Sequence, residues 1–215
     1  MSLINIISIL AGTAVDAPPS GLDNVNIIAD GNSYVNGFIS PSFPEYIIAA
    51  EPFASNGATM LNVGVSGQTT PQMIADQASQ VLSQYNGSVN NILLVVEGGN
   101  DIYFNGSVSN AITNMGTYCN AAMAVGFKVI VSTTIPREQN TSFGDTESQF
   151  NVKLADFNTA LVASNFYDGI IRPDLESIFS TYTSGGYNAD HIHPNATGQQ
   201  KLRDLFITAI NNLGL

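Results

Sequence analysis

Both histidines of the chain lie in one short segment near its C-terminal end, Asp190-His191-Ile192-His193-Pro194. Asp190 precedes His193 by three residues, a spacing at which a carboxylate can orient an imidazole, fix its tautomer and stabilise its protonated form. Far upstream, Ser33 follows an apolar run and Gly31. A serine at a helix N-terminus there would present its hydroxyl to solvent and its backbone N–H to an oxyanion. Gly-Asn-Ser is also ordinary turn chemistry, so both interpretations of this serine stay open.

The two histidines also admit a His-x-His metal site as a competing interpretation. Such a site needs a third and a fourth ligand, and no convincing ligand cluster for them stands elsewhere in the sequence. Neither a dinucleotide-binding loop nor a Walker-type phosphate loop is present. The sequence therefore predicts no metal and no cofactor. His191 either lines a pocket beside His193 or satisfies a hydrogen bond of its own loop, and the second role is favoured.

Two other turns follow apolar runs and carry polar groups. Gly67, in Ser66-Gly67-Gln68-Thr69, offers an unobstructed backbone N–H just before a predicted helix, or it serves backbone geometry alone. Asn100, in Gly98-Gly99-Asn100-Asp101, places an amide donor at the end of the next run, or it caps the turn that follows.

The elements that must position these residues are indicated by five short apolar runs that alternate with amphipathic stretches. The runs comprise 25–29, 60–65, 92–96, 129–132 and 170–171, the last being the weakest. Mostly continuous apolar runs are typical of strands buried on both faces of a parallel sheet. The alternation predicts an α/β fold, a three-layer α/β/α sandwich around a central parallel sheet of about five strands. Function in such sheets collects at the C-terminal ends of the strands.

Three of the amphipathic stretches predict helices with an inward apolar face. Thr70 is the expected N-cap of the first, with Pro71 at the first helical position. Asp145 precedes the second helix, and the third follows Pro194. The expected inward residues are Ile74, Ala78, Val81, Leu82 and Tyr85 in the first, Phe150, Leu154, Phe157 and Leu161 in the second, and Leu202, Leu205, Phe206, Ile210 and Leu213 in the third.

The composition argues against a polyanionic partner. The 215 residues include 6 Lys and Arg against 17 Asp and Glu, for a net charge of −11. Binding nucleic acid through a basic face needs clustered cations, so no nucleic-acid partner is expected and a neutral substrate fits better. The single cysteine, Cys119, shares a predicted helical stripe with Met115 and Met123, which indicates a buried structural thiol.

The length of the chain fits one domain with a short appendage. Residues 1–23 are expected to form an apolar N-terminal extension and linker, and residues 24–215 the main domain. No apolar run reaches the roughly 18 residues of a transmembrane helix, so no membrane span is expected. The N-terminal segment lacks the basic residues that begin a secretory signal peptide, so no signal peptide is recognised. It is interpreted as a packed strand or helix, or as a self-association contact with another subunit.

Taken together, the four turns resemble the SGNH (GDSL-type) serine hydrolase superfamily from about residue 25 to the end of the chain. The family's blocks supply a serine, a glycine, an asparagine and a histidine with an aspartate three residues earlier; the matching residues are Ser33, Gly67, Asn100, His193 and Asp190. The resemblance implies a flavodoxin-like SGNH hydrolase fold and a Ser33–His193–Asp190 triad. It also implies an oxyanion hole made by the N–H groups of Ser33 and Gly67 and by the Asn100 amide.

One position departs from the family's pattern. Asn32 stands where the family usually has an aspartate before the serine, which leaves the nucleophile in place. The Asp-Gly-Asn-Ser variant also resembles SGNH domains of phage and microbial surface proteins, which favours an extracellular, surface or particle-associated location. An α/β-hydrolase would need Gly-x-Ser-x-Gly after a strand, and neither glycine–serine turn completes it.

The resemblance and the loop composition predict a serine esterase that acts on short-chain acyl esters. The loops are rich in Asn, Ser, Thr and Gly, and nothing resembles a long hydrophobic lid, so an O-acetylated carbohydrate is expected rather than a triglyceride. Lysophospholipase and thioesterase activities stay open as alternatives. Tyr34, Tyr103, Phe104 and Arg137 fall on loops expected to border the site and are, with His191, candidate substrate-binding residues.

Two hypotheses of other classes remain. A catalytically idle glycan-binding or assembly module would suit the loop composition, but the joint presence of all five family residues argues against it. A flavodoxin-like nucleotide binder shares the fold class and would be recognised by the absorbance of a bound flavin.

Overall fold

The computed structural model describes residues 22–38, 41–104, 106–138 and 145–215. The predicted N-terminal extension lies outside these residues except for its last two, 22 and 23. Its proposed self-association contact and the boundary before residue 24 therefore stay predictions.

Five parallel strands form one sheet in the order β2-β1-β3-β4-β5. They are β1 (Asn26–Gly31), β2 (Thr59–Asn62), β3 (Asn91–Val96), β4 (Lys128–Ser132) and β5 (Gly169–Ile171). Each predicted run corresponds to one of these strands. β2 ends three residues earlier than its run, although the N–H groups of Val63 and Val65 still donate to carbonyls of β1.

Seven α-helices connect the strands in the described part of the chain. They are α1 (Ser33–Asn36), α2 (Phe43–Ile48), α3 (Thr70–Gln80), α4 (Gly99–Tyr103), α5 (Val108–Val125), α6 (Glu147–Val162) and α7 (Ala196–Asn211). α2 and α7 pack together on one face of the sheet, and α3, α5 and α6 pack on the other. The three-layer α/β/α sandwich predicted from the sequence is therefore confirmed.

The central strand β3 shows why its run is continuously apolar. All six of its residues are buried. Ile92, Leu94 and Val96 belong to the core beside α2 and α7, while Leu93 and Val95 belong to the core beside α3, α5 and α6. Because successive strand residues point to opposite faces, a strand covered on both sides is apolar on both faces, as residues 92–96 are.

The N-cap predicted for α3, Thr70, is wrong by one residue, because α3 is capped by Thr69. The second predicted helix follows Asp145 as expected, and its N-cap is Thr146. In each case the residue three positions after the threonine is a glutamine, Gln72 or Gln149, whose side chain accepts the N–H of the capping threonine at 2.9 Å. These reciprocal capping boxes stabilise the observed helix starts.

The inward face predicted for α3 is only partly correct. Val81 is buried and Ile74 and Leu82 are half-buried against the core, whereas Ala78 and Tyr85 are exposed. The buried residues of the helix itself are Thr70, Met73 and Gln77. Gln77 is buried because its Nε2 donates to the carbonyl of Tyr118 at 2.6 Å, so a polar residue occupies a position that hydrophobicity alone assigns to the surface.

The inward faces predicted for the last two long helices are confirmed in their main residues. Phe150, Leu154, Phe157 and Leu161 of α6 and Leu202, Phe206 and Ile210 of α7 are buried, and Leu205 and Leu213 are half-buried. Cys119 is fully buried in α5, and burial raises the pKa of its thiol to about 12, as expected for a structural cysteine. None of the helices in the described part of the chain combines the length and apolarity that a membrane crossing needs.

Candidate active site

Ser33 is the first residue of α1 and lies directly after β1. The strand enters the turn through Gly31, whose φ is +144° and whose missing side chain leaves room for the Val96 carbonyl; a Cβ would lie 2.1 Å from that oxygen. The Asn32 side chain then caps α1 by accepting the N–H of Tyr34 at 3.0 Å. The local sequence thus holds Ser33 at the C-terminal edge of the sheet.

His193 lies on the loop before α7 and contacts both Ser33 and Asp190. Its Nε2 is 2.9 Å from Ser33 Oγ, and its Nδ1 is 2.7 Å from Asp190 Oδ2. Asp190 Oδ1 accepts the backbone N–H groups of Ile192 and His193, each at 3.0 Å. Burial alone would raise the pKa of Asp190, but the hydrogen bonds from His193 and Ile192 outweigh it and lower that pKa below its ordinary value.

Three neighbours hold the histidine loop in place. The buried phenol of Tyr34 donates to the carbonyl of Ile192 at 2.9 Å, and its ring meets His193 edge-on. The N–H of Asn188 donates to the carbonyl of His193 at 2.8 Å. On the open side, the ring of Phe38 lies 4.7 Å from the imidazole, centroid to centroid. Together these contacts orient the imidazole toward Ser33.

Three residues that carry N–H donors, Ser33, Gly67 and Asn100, line the same cavity. Gly67 adopts a φ of +78° in the turn before α3. Within the described residues, neither its backbone N–H nor that of Ser33 donates a hydrogen bond. Asn100, at the start of α4, donates one of its two amide hydrogens to the carbonyl of Gln68 at 2.8 Å and lines the same cavity. This arrangement can accept a negatively charged oxygen.

Arg137 follows β4 and is 4% exposed. Its Nη1 and Nη2 donate to Asn100 Oδ1 at 3.2 and 3.3 Å, and Nη2 donates to the carbonyl of Gly99 at 2.6 Å. The guanidinium carbon lies 5.0 Å from the centre of the Tyr103 ring and 5.5 Å from that of Phe150. Arg137 is thus fixed beneath the cavity rather than free in a loop.

A cavity of about 290 Å³ opens over Ser33. Its lining consists of Ser33, Phe38, Ser66, Gly67, Asn100, Tyr103, Phe104, Arg137, Ile192 and His193. Of the sequence-predicted substrate-binding residues, Tyr103, Phe104 and Arg137 lie in this wall. Tyr34 does not line the cavity, because its ring is buried beneath the histidine loop.

His191 also lies outside the cavity wall. Its Nδ1 is 3.0 Å from Glu138 Oε2, and its carbonyl accepts the Glu138 N–H at 3.0 Å, in a turn where His191 has a φ of +56°. These contacts match the loop-bonding role that the sequence favoured. The rings of His191 and His193 face different partners, which is not the arrangement of a shared His-x-His site.

Sequence reasoning did not identify Phe38, Ser66 or Ile192 as part of the cavity wall. Phe38 is 60% exposed, and the short helix α1 before it shows no hydrophobic periodicity that would have revealed its position. Ser66 and Ile192 are neighbours in sequence of Gly67 and His193, and that adjacency is the one signal that could have found them.

A buried acidic layer lies directly behind the site. Asp30 accepts hydrogen bonds from the Tyr118 phenol and, at 2.7 Å, from the Gly31 N–H, yet burial raises the pKa of Asp30 to about 6. Glu97 is fully buried, and burial with the nearby charge of Asp101 raises its pKa well above the ordinary range. A carboxyl with a raised pKa is favoured in its neutral form.

Asn32, which stands where the family usually has an aspartate, contacts Glu97 in this acidic layer. Its Nδ2 donates to Glu97 Oε1 at 3.4 Å, and the N–H of Gly98 donates to the same oxygen at 2.9 Å. An aspartate at position 32 would bring a second acidic group against Glu97 and would remove the amide donor that Glu97 accepts. The Asn32 amide can therefore donate a hydrogen bond to Glu97, which an ionised aspartate at this position could not do.

Comparison with known proteins places the fold among SGNH hydrolases. A lipolytic protein of the G-D-S-L family from Veillonella parvula aligns with a TM-score of 0.67 at 15% identity over 87% of this chain and 99% of that one. An acylhydrolase described as putative from Bacteroides fragilis aligns with a TM-score of 0.63 at 24% identity over 88% of each chain. An acetylxylan esterase from Geobacillus stearothermophilus aligns with a TM-score of 0.62 at 15% identity over 87% and 94%.

A comparison of the sequence with protein families identifies the family as well as the fold. The profile of the GDSL-like lipase/acylhydrolase family matches residues 29–201, which include Ser33, Gly67, Asn100, Asp190 and His193. The chain belongs to this family. A search of curated proteins found no matching sequence.

Proposed function

We propose that the protein is a serine esterase that hydrolyses short-chain acyl esters, with O-acetyl groups on a carbohydrate as the substrate class. The observation that carries the proposal is the continuous contact from Ser33 Oγ to His193 Nε2 at 2.9 Å and from His193 Nδ1 to Asp190 at 2.7 Å. A nucleophile, a base and an orienting carboxylate in hydrogen-bond reach are the arrangement that acyl transfer needs.

In the first half-reaction, Ser33 Oγ attacks the ester carbonyl while His193 Nε2 takes the hydroxyl proton. The C–O bond to the alcohol then breaks, and His193 returns the proton to the leaving oxygen, which leaves an acyl group on Ser33. Water repeats the attack with His193 as base, and the acid and free serine are released. Asp190 stays ionised throughout because its hydrogen bonds lower its pKa, and it stabilises the imidazolium.

The negative charge of each tetrahedral intermediate needs donors that are already aimed at it. The N–H groups of Ser33 and Gly67 and the second amide hydrogen of Asn100 fill this role in the proposal. Because these donors are held by backbone and by the Gln68 carbonyl, they need little reorganisation during the reaction.

The size and the lining of the cavity favour a small, neutral acyl group as the substrate. Its volume is about 290 Å³, at the lower end of typical small-ligand sites, and no carboxylate is among the residues that line it. Phe38 and Phe104, 60% and 47% exposed, form an apolar rim where a sugar ring or a short chain can rest. The acetylxylan esterase with the same fold makes acetylated xylo-oligosaccharides the first carbohydrate substrates to test.

The experiment compares hydrolysis of p-nitrophenyl esters from acetate to dodecanoate by the wild type and by Ser33→Ala. We expect kcat/KM to fall with chain length, because a long chain cannot be enclosed, and to be lost in the variant. Acetate release from acetylated xylo-oligosaccharides is measured next. Activity that rises with chain length would favour a lysophospholipase, and no hydrolysis of any ester would favour the idle module.

A further inference from the structure

Arg137 is a buried cation that lacks an anionic partner among the described residues. It is 4% exposed, and no described carboxylate lies within 4.0 Å of its guanidinium nitrogens. Buried charges in proteins are normally paired, because removing a charge from water is costly. Here the guanidinium is held by the carbonyl of Gly99, the amide oxygen of Asn100, the phenol of Tyr34 and two further aromatic rings.

The two bonds to Asn100 fix which end of its amide faces the cavity. Nη1 and Nη2 of Arg137 both donate to Oδ1, and the Gln68 carbonyl accepts from Nδ2 on the other side. A flipped amide would place its NH₂ group against the guanidinium and its oxygen against a carbonyl. Since both contacts would then be repulsive, the Nδ2 group is held in the orientation that an oxyanion needs.

The cation also acts on the strength of that donor. A positive charge 3.2 Å from the amide oxygen draws electron density toward it and makes the Nδ2–H group a better donor. Negative charge that develops on the substrate oxygen gives the buried cation a close counter-charge, which no described carboxylate within 4.0 Å supplies in the resting site. An interaction of this kind is stronger in the transition state than in the ground state and therefore raises kcat.

Arg137 is itself held rigidly. Its backbone N–H donates to Asn151 Oδ1, and Asn151 Nδ2 donates back to its carbonyl, each at 3.1 Å. The planar guanidinium stacks near Tyr103 and Phe150, a contact that a lysine ammonium cannot reproduce in the same geometry.

We propose that Arg137 is a positioning residue of the oxyanion hole that orients and polarises the Asn100 amide, rather than a substrate-binding residue. The proposal rests on the proposed function, because it assigns Arg137 to the same reaction. It makes Arg137 act through Asn100, so the effect of removing Arg137 must disappear when Asn100 is already absent.

The test is a double-mutant cycle on p-nitrophenyl acetate with Arg137→Met, Asn100→Ala and the pair. We expect Arg137→Met to lower kcat about 10- to 100-fold with KM unchanged, because the donor is displaced. In the Asn100→Ala background the same change should cost less than about twofold, because no amide remains to be positioned. The rate at which a fluorophosphonate labels Ser33 gives a second readout for all four proteins.

Arg137→Lys keeps the positive charge, but its single ammonium group cannot reproduce the guanidinium hydrogen bonds to both Asn100 Oδ1 and the Gly99 carbonyl. Because the charge is retained, Arg137→Lys should lower kcat less than Arg137→Met. If Arg137→Met does not fold, the same cycle is run with Arg137→Lys. Full additivity of the two changes, or a rise in KM with kcat unchanged, would overturn the positioning role. Hydrolysis that persists in Ser33→Ala would instead overturn the proposed function, so the two failures are distinguishable.

Discussion

The Nε2 atom of His193 lies 2.9 Å from Oγ of Ser33, although 160 residues separate the two in sequence. Ser33 is held by the turn after the first strand, and His193 by the loop before the last helix. Because all five strands are parallel, the turn after β1 and the loop before α7 can meet at the C-terminal edge of the sheet. The proposed chemistry therefore depends on the whole fold and not on a local motif.

The two histidine–carboxylate pairs allow a matched test of the triad. Asp190→Asn should lower kcat about 10³- to 10⁴-fold, because the imidazole loses its orienting anion and its preferred tautomer. Glu138→Gln removes the carboxylate that faces His191 and should leave kcat within about twofold of wild type. Steady-state kinetics on p-nitrophenyl acetate compare the two, and equal losses would contradict the different roles of the histidines.

Tyr34 should act on the histidine loop and not on the substrate. Tyr34→Phe removes the hydrogen bond to the Ile192 carbonyl, which should lower the free energy of unfolding by about 1 kcal/mol. It should also lower kcat several-fold with KM unchanged, since the loop that carries His193 loses a fixed point. Urea unfolding and kinetics test this together. A higher KM with unchanged kcat would restore the substrate-binding role that the sequence predicted.

Asp30 should make stability depend on pH. Burial raises the pKa of Asp30 to about 6 in the folded protein, whereas an unfolded chain has the ordinary value of 3.8. The folded state therefore binds the Asp30 proton more tightly than the unfolded chain does. The protonated group contributes fully to the free energy of unfolding below about pH 4, and this contribution is lost as the pH rises through about 6. The full loss, which is complete above about pH 7, corresponds to about 3 kcal/mol, at 1.36 kcal/mol for each pKa unit.

Asp30→Asn isolates this effect because asparagine does not titrate. The free energy of unfolding of the variant, relative to wild type, should increase by about 3 kcal/mol between pH 4 and pH 7. Asp23→Asn, the same substitution at an exposed position, serves as the control. A relative stability of Asp30→Asn that is constant with pH would show that ionisation of Asp30 carries no cost.

Asn32 and Glu97 should be energetically coupled. Asn32→Asp places a carboxylate beside the buried Glu97 and should lower the free energy of unfolding at pH 8 by about 1–3 kcal/mol. In a Glu97→Gln background the cost should shrink, because the glutamine amide can donate to the new carboxylate. Denaturant unfolding of wild type, the two single variants and the double variant measures the coupling. Additive changes in the free energy of unfolding would contradict an interaction between Asn32 and Glu97.

Much of this molecule follows from local sequence physics. The continuous apolar runs predicted the five strands because a strand covered on both faces buries most of its side chains among apolar neighbours. The turn residues Ser33, Gly67 and Asn100 were found because each follows one of those runs, and the ends of parallel strands meet at one edge. Gln72 and Gln149 also carried a readable signal, the capping box, which places the N-cap of α3 one residue before the predicted Thr70 and the N-cap of α6 at Thr146.

What the sequence did not reveal depends on contacts between distant segments. Tyr34 and Arg137 have types and positions that suit a binding loop, and their burial is set by partners far along the chain, Ile192 and Asn100. Gln77 is buried because a carbonyl of another helix needs its donor. Such side-chain partnerships have no periodicity, so only the three-dimensional arrangement shows them.

The most direct test of the proposed nucleophile compares the two serines that line the cavity, Ser33 and Ser66. Ser33 lies 2.9 Å from His193 Nε2, whereas Ser66 Oγ bonds the Asn36 side chain at 3.2 Å. Hydrolysis of p-nitrophenyl acetate is measured for wild type, Ser33→Ala and Ser66→Ala. We predict that Ser33→Ala loses at least about 10⁴-fold in kcat, since the nucleophile is gone, while Ser66→Ala stays within several-fold of wild type. Equal activity in wild type and Ser33→Ala would contradict the central claim that Ser33 is the nucleophile.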